Sequence, residues 1–100
     1  MLKHIVMMKF KDNYEGMSKS HIAQEMKSRL EALIPIIPQI KFYEVGLDIK
    51  IVDFSSDLVI ISSFETEGDL DLYKNHPEHK KVGEFISNVT TEKRVVDFVV

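Results

Sequence analysis

The stretch LKHIVMMKF, residues 2–10, is rich in branched and large apolar side chains and predicts a first β-strand. Side chains point alternately to the two faces of a strand. One face of this strand carries Leu2, His4, Val6, Met8 and Phe10. The other face carries Ile5 and Met7. Both faces are therefore largely apolar, and each needs a cover in the folded protein.

A helix is predicted directly after this strand. Apolar residues recur at helical spacing over residues 19–34, and Ser18 or Ser20 offers an N-cap. Pro35 and Pro38 end the helix, because proline lacks a backbone donor and clashes with the preceding turn.

The second half of the chain predicts three more strands and two short helical segments. The strands span residues 39–48, 57–65 and 92–100. One helical segment runs from Thr66 to Asn75, and the next opens at Pro77 and carries Val82, Phe85, Ile86 and Val89. The order β-α-β-β-α-β predicts an α+β, ferredoxin-like fold with a four-stranded antiparallel sheet and its helices on one face.

In a monomer, one of the two apolar faces of the predicted sheet would be left without a cover. The strands at 57–65 and 92–100 are also apolar on both faces, whereas the helical segments cover only one. An exposed apolar sheet face is an association site. We therefore expect a symmetric homodimer with its sheets face to face, a dimeric α+β barrel. The alternative is a monomer with an open ligand-binding face.

Composition narrows the classes of function. One hundred residues predict a single domain over residues 1–100. A net charge of -3 argues against a nucleic-acid partner, which needs a basic face. The chain has no cysteine, which excludes disulfides and thiolate zinc sites. No apolar run approaches the roughly 20 residues that span a bilayer, so we expect no membrane partner and a cytoplasmic protein.

The stretch LYKNHPEHKKV, residues 72–82, holds two of the four histidines. His76 precedes Pro77, and its expected role is to cap or join the two helices. His76 and His79 are three residues apart across a proline, unlike the i, i+4 pair of a zinc helix, so no zinc is expected. A site for a hard cation remains an alternative.

The chain has no glycine-rich phosphate loop and no flavin or nicotinamide motif, so no cofactor is expected.

Three segments together resemble the stress-responsive dimeric α/β-barrel family, often called Dabb. They are the first strand, YKNHPEHKKVGEF at residues 73–85 and VVDFVV at residues 95–100, and the resemblance covers essentially the whole chain. It implies a dimer whose sheets close into a barrel around an apolar cavity. One plant member closes and aromatises a linear polyketide by an aldol reaction. The residues that match its site are Tyr73, His79, His4 and Asp97.

Each of these candidate residues has a functional and a structural interpretation. His79, oriented by Asp97, is a candidate base that moves a proton, and the alternative is a structural hydrogen bond between helix and strand. Tyr73 is a candidate donor to a substrate carbonyl oxygen, or a helix-face aromatic packed on the sheet. His4 is a candidate second polar group in the dimer cavity, or a core histidine.

The resulting functional hypothesis is a cofactor-independent acid–base enzyme of the aldol or cyclase type. It would bind a small, largely apolar carbonyl compound in the barrel. A non-catalytic dimer, either binding a small hydrophobic molecule or serving a structural role in stress, is the first alternative. Cofactor-free monooxygenase chemistry is the second, because related dimeric barrels include such enzymes.

Overall fold

A computed structural model describes residues 1–100 and shows nine helices and strands. In chain order they are β1 (Leu2–Phe10), β2 (Asn13–Tyr14), β3 (Met17–Ser18), α1 (Lys19–Glu31), β4 (Phe42–Leu47), β5 (Leu58–Phe64), α2 (Glu67–Asn75), α3 (Pro77–Val89) and β6 (Thr90–Val99). The main sheet has the order β4-β5-β1-β6 with every neighbouring pair antiparallel. The predicted ferredoxin-like α+β fold is confirmed.

Several helix and strand boundaries differ from the predicted ones, because turns form where regular structure was expected. Ser18 is the N-cap of α1, and its Oγ accepts a hydrogen bond from the His21 backbone N at 3.2 Å. The helix ends at Glu31, before the predicted residue 34, because the following amides bond three residues back and tighten the chain into turns. The predicted second strand begins only at Phe42, and the small hairpin β2–β3 lies between β1 and α1.

The core lies between the sheet and the helices. The inner face of β1 contributes Leu2, Val6, Met8 and Phe10, and the helices contribute Ile22, Met26, Leu30, Leu70, Val82, Phe85 and Val89. His4 shares this inner face and is only 7% exposed. Burial of this apolar set is the main stabilising contribution to the fold.

The outer face of the sheet is apolar and bare in a single chain. Met7, Phe42, Val96 and Phe98 lie on this face, and all four are exposed, Val96 by 53%. Ile5, paired with Val96 across the strands, is partly exposed. The two apolar faces expected from strand alternation are therefore present. None of the helices is both long and apolar enough to cross a membrane.

Candidate active site

The junction of α2 and α3 positions the two candidate residues of the helical segment. Thr66 caps α2, and its Oγ1 accepts from the Asp69 backbone N at 3.0 Å. His76 ends α2 and begins α3 in an extended conformation, and its Nδ1 accepts from the Glu78 backbone N at 3.1 Å. The predicted capping role of His76 is confirmed. This sharp junction turns the side chains of Tyr73 and His79 toward each other, with ring centroids 4.4 Å apart.

Tyr73 is buried on the sheet and only 1% exposed. Its ring lies 5.0 Å from the Phe64 ring, and its hydroxyl lies 2.8 Å from the hydroxyl of Tyr43 on β4. Burial raises the pKa of Tyr73 to about 12 and raises the pKa of Tyr43 further, so both phenols stay protonated at neutral pH. When Tyr43 donates within the pair, Tyr73 keeps its own proton for a ligand oxygen.

Tyr43 is a residue of the site that the sequence analysis did not single out. Strand alternation was the signal that could have found it. On β4, Tyr43 shares the inner face with the buried Val45, and it lies opposite Ser62 of β5 in the register.

His79 is held by its own chain segment. Its Nδ1 lies 3.2 Å from the backbone carbonyl oxygen of Lys74. A carbonyl only accepts, so Nδ1 carries the hydrogen and Nε2 keeps a free lone pair. Burial lowers the pKa of His79, and the neighbouring charges of Lys93, His4 and Lys74 lower it further, against an opposing contribution from the Lys74 carbonyl. The neutral ring that a general base requires is therefore favoured at neutral pH.

The predicted pairing of Asp97 with His79 is wrong. Asp97 Oδ1 instead forms a hydrogen bond with Nδ1 of His4. The reason is strand register, because His4 of β1 and Asp97 of β6 are directly opposite each other on the same face of the sheet. Ser62 holds the His4 backbone from the other side, donating its hydroxyl to the His4 carbonyl at 3.0 Å.

A cavity of about 560 Å³ joins these residues on the helix-covered side of the sheet. Its polar wall includes His4, Tyr73 and His79. The apolar lining consists of Val6, Met8, Leu30, Ile60, Ile86 and Val95. The ligand site predicted from the sequence lies between the two sheets of a dimer, whereas this cavity belongs to one chain. Strand alternation explains the difference, because His4 points to the same side as the buried Val6 and Met8.

The wall combines three chemically useful groups. His79 offers a lone pair on Nε2, Tyr73 offers a hydroxyl, and His4 offers an imidazole whose other nitrogen is bonded to a carboxylate. Asp97 does not line the cavity and acts on it only through His4. No group of three or more His, Asp or Glu side chains is arranged to hold a metal ion. The arrangement is suited to moving protons on a bound molecule.

Comparison with known proteins shows which chains and folds this protein is similar to. A dimeric protein of unknown function with a ferredoxin-like fold from Bacteroides fragilis NCTC 9343 matches at 28% identity with a TM-score of 0.87, over 99% of this chain and 95% of that chain. A dimeric ferredoxin-like protein of unknown function from Thermobifida fusca YX matches at 20% identity with a TM-score of 0.84, over 99% and 90%.

A hydroxynitrile lyase from Passiflora edulis matches at 17% identity with a TM-score of 0.78, over 99% of this chain and 92% of that chain. The lyase and the T. fusca protein are 17% and 20% identical to this chain, so their similarity to it establishes the shared fold alone. Among curated protein sequences no match was found. The family model described as the Stress Responsive A/B Barrel Domain, Dabb, matches residues 2–100, and the chain therefore belongs to this family.

Proposed function

We propose that this protein binds a small, largely apolar carbonyl compound in the 560 Å³ cavity and moves a proton on it without a cofactor. The observation that carries the proposal is the cluster of His4, Tyr73 and His79 in the wall of an otherwise mainly apolar cavity. Small-molecule sites commonly have volumes of about 300–1,000 Å³ and a few polar groups that fix orientation.

The proposed chemistry assigns the proton to His79. Its Nε2 takes a proton from the carbon next to a carbonyl, and the Tyr73 hydroxyl donates to the oxygen on which negative charge grows. If the ligand carries a second carbonyl carbon, the enolate attacks it and closes a ring. The new alkoxide then takes the proton back from His79, which completes an aldol reaction. His4, oriented by Asp97, is proposed as a second proton-exchanging group on the same wall.

The relatives support this class of chemistry without assigning a substrate. A hydroxynitrile lyase has the same fold, so the scaffold supports lyase chemistry in at least one other protein. The family model is described as stress responsive, which supports a role under stress for this chain. We also propose a cytoplasmic location.

A second candidate function is non-catalytic binding in the same cavity. It is favoured by the hydrogen bonds that the polar groups already make, because Tyr73 is paired with Tyr43 and His79 with the Lys74 carbonyl. Groups satisfied in this way stabilise the fold whether or not they react.

The assembly that we propose is a homodimer formed through the outer face of the sheet. Both bacterial relatives are described as dimeric, and the bare apolar face of this chain offers the matching contact. An isologous contact of this kind buries the same patch on both copies.

Deuterium exchange separates the two candidate functions. Octan-2-one is incubated with the protein in heavy water, and loss of its α-proton signals is followed by NMR. The acid–base function predicts exchange well above the buffer rate, reduced by roughly 10²–10⁴-fold in His79→Gln. Tyr73→Phe should reduce exchange while ligand-induced shifts in the protein spectrum persist. Ligand-induced shifts with exchange at the buffer rate would instead establish non-catalytic binding.

A further inference from the structure

Two lysines stand in the cavity wall beside the polar cluster. Lys74 lies in the last turn of α2, and Lys93 lies on the inner face of β6, opposite Met8 in the register. Both line the cavity and both are exposed at its mouth. Neither ammonium group forms an ion pair with a carboxylate.

The charge of the cavity wall is opposite in sign to that of the chain. The protein has 16 acidic and 13 basic residues and a net charge of -3, yet no Asp or Glu lines this cavity. Other lysines are neutralised locally, such as Lys19 between Asp12 and Asp57. The two lysines therefore give the cavity wall a positive charge that no acidic residue of its lining offsets.

The positive charges of these two lysines also act on the polar cluster of His4, Tyr73 and His79. Among the charges that lower the pKa of His79, Lys93 ranks first and Lys74 also contributes. Ser87 and Thr90 also line the cavity and add two hydroxyl groups to its wall. A wall of two ammonium groups and two hydroxyls is suited to binding a carboxylate.

We propose that the ligand is an anion, a keto carboxylate with an aliphatic chain whose carboxylate lies between Lys74 and Lys93. Its apolar chain packs against Met8, Leu30 and Ile60, and its ketone oxygen faces Tyr73. This inference rests on the proposed function, which requires the carbonyl but not the carboxylate. The two lysines thus determine specificity, while His79 and Tyr73 act on the ketone.

Octanoate and octanamide provide a matched pair of probes, because they share a chain and differ in charge. Each is titrated into the 15N-labelled protein at neutral pH and low salt, and affinity is taken from chemical-shift changes. The wild type should bind octanoate about tenfold more tightly than octanamide. Added salt should shrink this difference, since the mouth is open to solvent.

The double variant Lys74→Gln/Lys93→Gln should lose the octanoate preference and keep its octanamide affinity within about twofold. The control Lys50→Gln/Lys81→Gln removes the same charge from exposed positions outside the cavity and should keep the preference. Equal wild-type affinity for both probes would overturn this inference and leave the proposed function standing. A preference that survives in Lys74→Gln/Lys93→Gln would overturn the assignment to these lysines. Binding of neither probe would also overturn this inference, while deuterium exchange into octan-2-one tests the proposed function separately.

Discussion

At the scale of single residues, His79 takes its tautomer from the backbone beside it and not from a carboxylate across the sheet. The Lys74 carbonyl fixes the hydrogen on Nδ1, so the lone pair on Nε2 is available. The carboxylate-bound imidazole of the site is His4 instead. The two histidines flank Tyr73, with ring centroids 4.4 Å and 6.4 Å from its own. The site therefore holds two imidazoles with different partners.

The lowered pKa of His79 predicts a specific pH dependence of stability. The folded state favours the neutral ring, so the unfolded chain binds a proton first as the pH falls through the ordinary value of 6.5. The free energy of unfolding should therefore fall with decreasing pH from about 6.5 down to the folded-state pKa. His79→Gln removes this contribution, and urea denaturation at neutral and mildly acidic pH measures the change.

An exposed histidine provides the control for this measurement. His21→Gln on α1 makes the same side-chain change at an exposed position and is measured in parallel. Identical pH dependence in His79→Gln and the wild type would show that His79 is not held neutral by the fold.

Single residues also show where prediction from sequence ends. His4, Tyr73, His79 and Asp97 were all named from the sequence, but their pairing depends on the register of β1 against β6. A shift of one residue would move Asp97 to the other face of the sheet, and nothing local in VVDFVV fixes that register. Tyr43 was missed because its role arises only when β4 places it beside α2.

At the scale of elements, the α2–α3 junction is the part of the site that the sequence predicted best. His76, which precedes Pro77, is both the C-cap of α2 and the N-cap of α3. The order of strands and helices was likewise predictable from apolar periodicity and prolines. The end of α1 was not, because the last turn tightens through bonds that depend on chain geometry.

Replacing the cap of α3 should weaken the fold measurably. His76→Ala removes the Nδ1 acceptor for the Glu78 amide and should cost about 1 kcal/mol in the free energy of unfolding. His76→Asn supplies a side-chain oxygen in the same role and should retain most of the stability. Urea denaturation of both variants gives the comparison, and equal losses would argue against capping by the imidazole.

At the scale of the whole molecule, the sheet has one face occupied by the site and core and one face free for association. Val96→Asp places a charge on the β6 side of the free face, beside Ile5, where burial in a dimer would be costly. We expect this variant to be monomeric and folded, because Val96 is already exposed in the single chain. Light scattering coupled to size exclusion measures the mass.

A second apolar-to-acidic change tests whether the effect is local. Leu72→Asp alters an equally exposed position on α2, away from the sheet face, and should leave a dimer intact. A wild type that is monomeric at micromolar concentration would contradict the proposed assembly.

The central claim is that the cavity inside one chain is the functional site. Gly83 allows a test of this claim, because its lack of a side chain leaves space in the cavity wall. Gly83 lies in the interior of α3 and lines the cavity, and a Cβ built there meets no atom within 4 Å. Leucine favours a helix interior over glycine by roughly 0.5–1 kcal/mol. Gly83→Leu should therefore narrow the cavity while raising the free energy of unfolding. Gly68→Leu on α2 is the matched control, since it lies outside the cavity and its Cβ makes only an ordinary contact of 3.7 Å with Thr66.

The most direct measurement is deuterium exchange into octan-2-one by the wild type, Gly83→Leu and Gly68→Leu, each shown to be folded by urea denaturation. We predict wild-type exchange in Gly68→Leu and clearly reduced exchange in Gly83→Leu. Wild-type exchange by a stably folded Gly83→Leu would contradict the account, because the reaction would then take place somewhere other than this cavity.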